Sequence, residues 1–297
     1  MADVPVPEGF RRLDGGRDGG VVREEWAGVP LTRWWQEGDP LPGAPGRGAV
    51  RVVALPDGDR AVARGLRRGG ALRRWLPDAF LDRGRAAHEL TILAELRRLG
   101  VPAVEPIAAV WRRAGPLYRQ RLLTRLVPGA APLPAFLAAH PAQRRGAIRE
   151  AGRVVRLVFG AGLRHRDLHP DNLLACLTAS GVVVRALDLD RARLGGALSE
   201  AEQDRMLLRM ARYLERHAAR LATTPSASDF LRFLAGMGLE RRARRQEWAR
   251  LSALYERATR RHRWSWRWST GTAPTGHASR GMSGSRSTPS ASATRLM

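Results

Sequence analysis

A chain of 297 residues with 44% hydrophobic content is long enough for one two-lobed domain or two small ones, and is not disordered throughout. Its net charge is +23, from 51 basic and 28 acidic residues, and every basic residue is Arg. One cysteine excludes an internal disulfide, no run approaches the roughly 20 apolar residues of a membrane span, and Met1 to Glu8 lacks the basic start and apolar run of a signal peptide, so a cytoplasmic protein is expected.

A strongly basic surface suits nucleic acid, an anionic membrane face or a phosphorylated substrate. The Arg residues are spread along the chain, and neither a zinc-ligand spacing nor an aromatic RNA-binding signature accompanies them, so no nucleic-acid partner is expected. The complete lack of Lys reads as a coding bias, which lowers the weight of any single Arg.

Residues 1–40 are interrupted by Pro and Gly and read as an N-terminal extension, with Val21 to Trp26 as its strand candidate. Gly43 to Gly48 is a glycine-rich turn feeding the strand Ala49 to Leu55. Pro56-Asp57-Gly58-Asp59 then turns the chain into Arg60 to Arg64, a hairpin. Glycines let backbone amides approach phosphate closely, which makes Gly46 and Gly48 candidate nucleotide contacts, with a plain surface loop as the other reading. Arg64 occupies the strand position where a protein kinase carries a phosphate-contacting Lys paired to a helix Glu. The spacing of Ala86, Leu90, Leu93, Leu96 and Leu99 predicts a helix from Asp82 to Leu99 stopped by Gly100, and Glu89 lies in the turn where a partner for Arg64 is expected.

Ile107 to Trp111 and Tyr118 to Leu126 read as further strands. Val127-Pro128-Gly129 then breaks the pattern, and the downstream sequence is mainly helical. This suits an α+β, two-lobed fold: an N-lobe over 41–127 with a small antiparallel sheet and one helix, and a helical C-lobe over 128–264. Apolar positions at Ile148, Ala151, Val154, Val155, Val158 and Phe159 predict a helix from Arg144 to Ala161. Next comes Leu163-Arg164-His165-Arg166-Asp167-Leu168-His169-Pro170-Asp171-Asn172. The runs Asn172 to Cys176 and Val182 to Leu187 follow, joined by a turn over 177–181 as a hairpin, and then Asp188-Leu189-Asp190. Cys176 is expected to be buried in its strand.

An H-R-D-x-x-x-x-N loop followed by a hairpin Asp has the spacing that phosphoryl transfer needs. Asp167 is the candidate acceptor of the attacking hydroxyl's hydrogen bond, and Asn172 and Asp188 are the candidate Mg²⁺ ligands that hold the metal against the phosphates of ATP. The competing reading is a polar turn whose Asp and Asn cap backbone groups, which leaves the joint spacing unexplained.

Ser199 to Glu202 is a capping box opening a helix through about His217, and further helices are expected over 229–234 and 240–261. Residues 265–297 are low in apolar content and are expected to be a disordered tail. At its start, alternating Trp and Arg over 263–268 could seat at an anionic lipid surface, or could simply end a helix.

With these elements in place the chain resembles the lipopolysaccharide kinases, most closely the 3-deoxy-D-manno-octulosonic acid (Kdo) kinases, over roughly residues 43 to 215. Arg64-Gly65-Leu66-Arg67-Arg68-Gly69-Gly70 is similar to that family's third strand and Arg-Gly-Gly turn. Asp188-Leu189-Asp190 is similar to its D-F-D, with Leu189 in place of the aromatic residue, and Gly46-Arg47-Gly48 to its phosphate-side turn. The resemblance implies a protein-kinase-like fold and an ATP- and Mg²⁺-dependent kinase, peripheral on the cytoplasmic face of the inner membrane, acting on a Kdo hydroxyl of a lipid A precursor. Arg67, Arg68, Arg73 and Arg74 are candidate contacts for that substrate's anionic groups. A kinase of the same fold acting on another small molecule or a protein, and a non-catalytic membrane-associated scaffold, are the alternatives.

Overall fold

The computed structural model describes residues 4–41, 50–67, 78–221 and 225–269. Among these, eight strands form one antiparallel sheet. The hairpin β1 (Phe10–Gly15) and β2 (Asp18–Arg23) is followed by two 3₁₀ turns, Glu24–Trp26 and Leu31–Trp35. Then come β3 (Asp39–Pro40), β4 (Val50–Ala54), β5 (Arg60–Gly65) and β6 (Ala79–Phe80). Helix α1 (Arg85–Arg98) leads to β7 (Pro106–Ala114) and β8 (Leu117–Arg125). The order is β1-β2-β7-β8-β5-β4-β3, with β6 pairing β8 beyond the end of β5.

The period-two alternation of β residues sorts this sheet's side chains onto two faces. Val21, Ala109, Trp111 and Leu122 pack with α1, whereas Val22, Ala108, Val110 and Leu123 pack with Trp26 and Trp34. Within the segment expected as an extension, residues 10–23 supply two strands of this sheet, and the 3₁₀ turns cover the face that α1 leaves open. Burying Trp34 to 3% exposure and Trp26 to 7% is the driving force for that cover. On α1, Ala86, Leu90, Leu93 and Leu96 are buried as the periodicity predicts, but Leu99, past the helix end, is exposed.

Beyond the sheet, β9 (Ala131–Pro132) and α2 (Leu133–Ala139) precede α3 (Arg144–Gly160). The short β10 (Leu163–Arg164) leads into the loop of interest, and β11 (Leu173–Thr178) and β12 (Gly181–Ala186) form the expected hairpin, with Cys176 buried. Next come β13 (Arg193–Leu194), paired with β10, then α4 (Glu200–Arg216), α5 (Ala227–Gly236) and α6 (Arg241–Ser269). The capping box at Ser199 and Glu202 is present. Helix α6 runs on through residues 265–269, which were expected in the tail, while 270–297 lie outside the described residues.

Two features tie the lobes together. The segment after α1 pairs with the end of the hairpin, through Val104 N to the Ala186 carbonyl (3.0 Å) and Ala186 N to the Pro102 carbonyl (2.9 Å). One continuous core also joins Leu90 and Leu93 of α1 to Val154, Leu168, Leu173 and Leu189 below. Within the lower lobe α3 and α5 touch backbone to backbone: a Cβ at Gly152 would strike the Phe233 carbonyl, and one at Gly236 the Arg149 carbonyl.

Candidate active site

The hairpin sets the spacing of the site. Leu173 pairs with Ala186, and Leu187 N donates to the Asn172 carbonyl at 3.0 Å, so Asn172 and Asp188 emerge side by side from the hairpin's open end. Asn172 is 6% exposed, and its Nδ2 donates to the Asp167 carbonyl at 2.8 Å. That bond ties the Asn172 side chain to the start of the loop through its amide nitrogen and leaves its oxygen out of this bond. The Asp167 side chain itself is exposed.

Asp188 has φ +54°, a left-handed conformation uncommon in residues with a Cβ, although Asp and Asn adopt it more readily than most. Its carboxylate lies 3.2 Å from Arg64 Nη1. Arg64 Nη2 meets both oxygens of Glu89 at 2.6 Å, and Glu89 Oε1 also accepts the Leu189 N–H at 3.1 Å. Sheet, helix and hairpin thus converge on one chain of charge, Glu89–Arg64–Asp188. Burial pushes the Glu89 carboxyl above the usual carboxylate range, with Arg64 opposing and Asp188 reinforcing that shift. Burial would lower the Arg64 guanidinium, but Glu89 and Asp188 outweigh it and hold it above its ordinary value. Arg64 is charged at any working pH.

Further residues brace this centre. Arg85 grips both oxygens of Asp190, with Nε to Oδ1 at 2.7 Å, and is raised by that bond, while Asp190 is lowered once Arg85 outweighs its burial. His169 stacks on Tyr213 with ring centroids 4.3 Å apart, and the Tyr213 hydroxyl donates to Asp171. His165 is 2% exposed, with neither ring nitrogen bonded among the described residues, and burial holds it below its ordinary value of 6.5, so it is neutral at pH 7.

Of the candidate residues, Arg64, Glu89, Asn172 and Asp188 come together beside Asp167. Gly46, Gly48, Arg68, Arg73 and Arg74 lie outside the described residues, and Arg67 is exposed. Sequence reasoning gave Arg85 and Asp190 no role. The available signal was that Arg85 precedes Glu89 by one helical turn and shares its face, and that Asp190 lies two residues beyond Asp188.

The donor set suits Mg²⁺. An amide oxygen and a carboxylate are the hard ligands this ion prefers, and it characteristically takes one or two carboxylates and completes its shell with phosphate and water. Among the described residues no group of three or more His, Cys, Asp or Glu could hold a metal without such help.

A family model described as the lipopolysaccharide kinase (Kdo/WaaP) family matches residues 32–255. A 3-deoxy-D-manno-octulosonic acid kinase of Vibrio cholerae is 34% identical over 145 residues, which are 48% of this chain and 61% of that protein. One from Stenotrophomonas maltophilia R551-3 is 29% identical over 203 residues, 67% of this chain and 78% of the relative. Among solved structures, WaaP in complex with acyl carrier protein superposes with a TM-score of 0.54 at 19% identity, covering 82% of this chain and 98% of that one, a likeness of fold.

Proposed function

The chain belongs to the lipopolysaccharide kinase (Kdo/WaaP) family, and from that premise we propose that it transfers the γ-phosphoryl group of ATP to a sugar hydroxyl of the lipopolysaccharide inner core, the acceptor being Kdo on a lipid A precursor. The observation that carries this reading is the charge chain Glu89–Arg64–Asp188 beside Asp167 and Asn172. In it, Asp167 accepts a hydrogen bond from the attacking hydroxyl and orients it in line, while its exposure leaves room for a bulky acceptor. Asn172 and Asp188 hold Mg²⁺, which when bound neutralises charge on the phosphates. Arg64 is oriented by Glu89 and presents its fork to the same anionic groups.

The relatives are kinases of a sugar acid, and the acceptor proposed here is that sugar acid carried on a lipid. A chain with net charge +23 suits that anionic substrate and the anionic bilayer surface that displays it. No helix of the described residues is long and apolar enough to cross a membrane, so residence there is proposed as peripheral, on the cytoplasmic face of the inner membrane.

Incubation of the purified protein with γ-labelled ATP and Mg²⁺ against a Kdo-bearing lipid A precursor, an aminoglycoside and a generic protein tests the reading. Label is expected in the lipid alone. Label in the aminoglycoside or protein alone would replace the acceptor, and Mg²⁺-independent nucleotide binding without transfer to any of them would replace the enzyme with a scaffold.

A further inference from the structure

Three residues on one face of α1, spaced i, i+3 and i+4, each grasp the segment that leaves the hairpin. Arg85 holds both oxygens of Asp190. His88 Nε2 lies 2.9 Å from the Ala192 carbonyl, and Glu89 takes the Leu189 N–H. The Arg85 guanidinium also lies over the Phe80 ring, 5.1 Å from its centroid, so the grip extends to the sheet through β6. The segment so held contains two residues with positive φ, Asp188 at +54° and Arg191 at +60°, one on each side of Leu189-Asp190. Side chains with a Cβ rarely adopt that conformation, and it persists only where the surroundings over-determine it.

We infer that Arg85 and Asp190 are a positioning pair for the metal ligand Asp188: Asp190 acts through Arg85 to keep the backbone at Asp188 in its left-handed conformation, and does not itself bind the cation. Both Asp190 oxygens are taken by one guanidinium in a planar fork, the arrangement in which a carboxylate is least free to turn elsewhere. Among the described residues the ion pair of Asp188 is with Arg64, and its side chain is 39% accessible against 23% for Asp190. The two aspartates are two residues apart yet face opposite partners. One is tied to the helix, and the other is the more accessible of the two.

This inference rests on the kinase reading, and its test separates the two. The affinity of the full-length protein for a non-hydrolysable ATP analogue is measured by calorimetry with and without Mg²⁺, for the wild type, Arg85→Gln, Asp190→Asn and the double variant. Thermal unfolding without nucleotide is recorded alongside. Each single variant is expected to lose about tenfold of the Mg²⁺-dependent gain in affinity, as partners of metal ligands do, and the double variant no more than either single. The exchanged pair, Arg85→Asp with Asp190→Arg, is expected to recover most of the loss. If Asp190 were itself a ligand, Asp190→Asn would lose the Mg²⁺ effect while Arg85→Gln kept it, and the exchanged pair would stay impaired; that result overturns the inference. So do unchanged affinities in both single variants, and so does a double variant whose loss is the product of the two. A wild type without any Mg²⁺-dependent nucleotide binding overturns the kinase reading itself, and the role of the pair with it.

Discussion

Glu89→Gln perturbs the charge chain at its most buried point while preserving shape. The carboxylate is 1% exposed and serves two donors, Arg64 Nη2 and the Leu189 N–H. An amide has one acceptor oxygen: at the Oε1 position it still accepts from both donors, but its NH₂ then stands where Oε2 meets Arg64 Nη2, and that charge-assisted bond is lost at a cost of about 1–3 kcal/mol. Removing one partner of a fully buried ion pair costs about 3–5 kcal/mol. Here Arg64 is 30% accessible and keeps Asp188, so the charge contributes less than that. The two effects together give about 2–4 kcal/mol, measurable as a lower urea midpoint at unchanged slope. Arg64, released from the Glu89 charge, then leans more on Asp188, so the variant is expected to need more Mg²⁺ for half-maximal rate and to turn over about 10²-fold more slowly. Unfolding within about 0.5 kcal/mol of wild type, together with an unshifted Mg²⁺ requirement, would refute the reasoning.

Other perturbations probe separate parts of the site and its support. Asp167→Ala and Asp188→Asn are each expected to cut turnover by about 10³-fold or more while leaving circular dichroism near wild type, because both side chains are accessible and Asn keeps the left-handed backbone at 188; near-normal turnover in either removes its assigned role. His165 is buried neutral, with its native value held below the unfolded 6.5, so the unfolded chain takes up the proton first and stability falls as pH drops below about 6.5. His165→Phe should therefore flatten the loss of melting temperature between about pH 7 and 5, read by calorimetry, and an unaltered slope would show that this ring carries none of it. At Gly236 a methyl group would strike the Arg149 carbonyl, so Gly236→Ala is expected to cost about 1–3 kcal/mol in urea unfolding by forcing α3 and α5 apart.

The parts of this fold that were legible from sequence are those with local signals. The turn at Asp57-Gly58, the hairpin strands around residues 177–181, the capping box at Ser199 and the stop at Gly100 each sit within a few residues of the element they define. The spacing of Asp167, Asn172 and Asp188 along one loop and one hairpin was readable for the same reason. What was hidden is decided by distant partners. Gly19 and Gly20 look like loop residues but lie within β2, because the Trp111 ring and Val110 press against that strand and leave no space for a Cβ. Trp26 was expected to end a strand that in fact stops at Arg23, and Trp34 gave no period; both lie in 3₁₀ turns, and only the uncovered face of the sheet explains them. Helix α2 is 7 residues long with a Pro in its first turn, too short for a periodic signal. Arg85 and Asp190 are separated by 105 positions, so nothing near either one announces the other.

The guanidinium at position 64 divides its work between two nitrogens, Nη2 toward Glu89 and Nη1 toward Asp188. An ammonium is a single point of charge and would have to share that point between the two acids. With the fork, Asp188 can exchange its ion pair with Arg64 for a cation while the Glu89 bond, and with it the seating of α1 on the Leu189 amide, stays in place. The exchange is confined to the most accessible member of the chain of charge, whereas Glu89, Leu189 and the Arg85–Asp190 bond hold the flanks. In the proposed mechanism the Arg64 nitrogen freed in this way is the donor that meets the phosphates. A chain that uses Arg for every cation can therefore serve a site usually built around Lys, because it binds the acid that positions it and the anion it neutralises through separate hydrogen-bond donors.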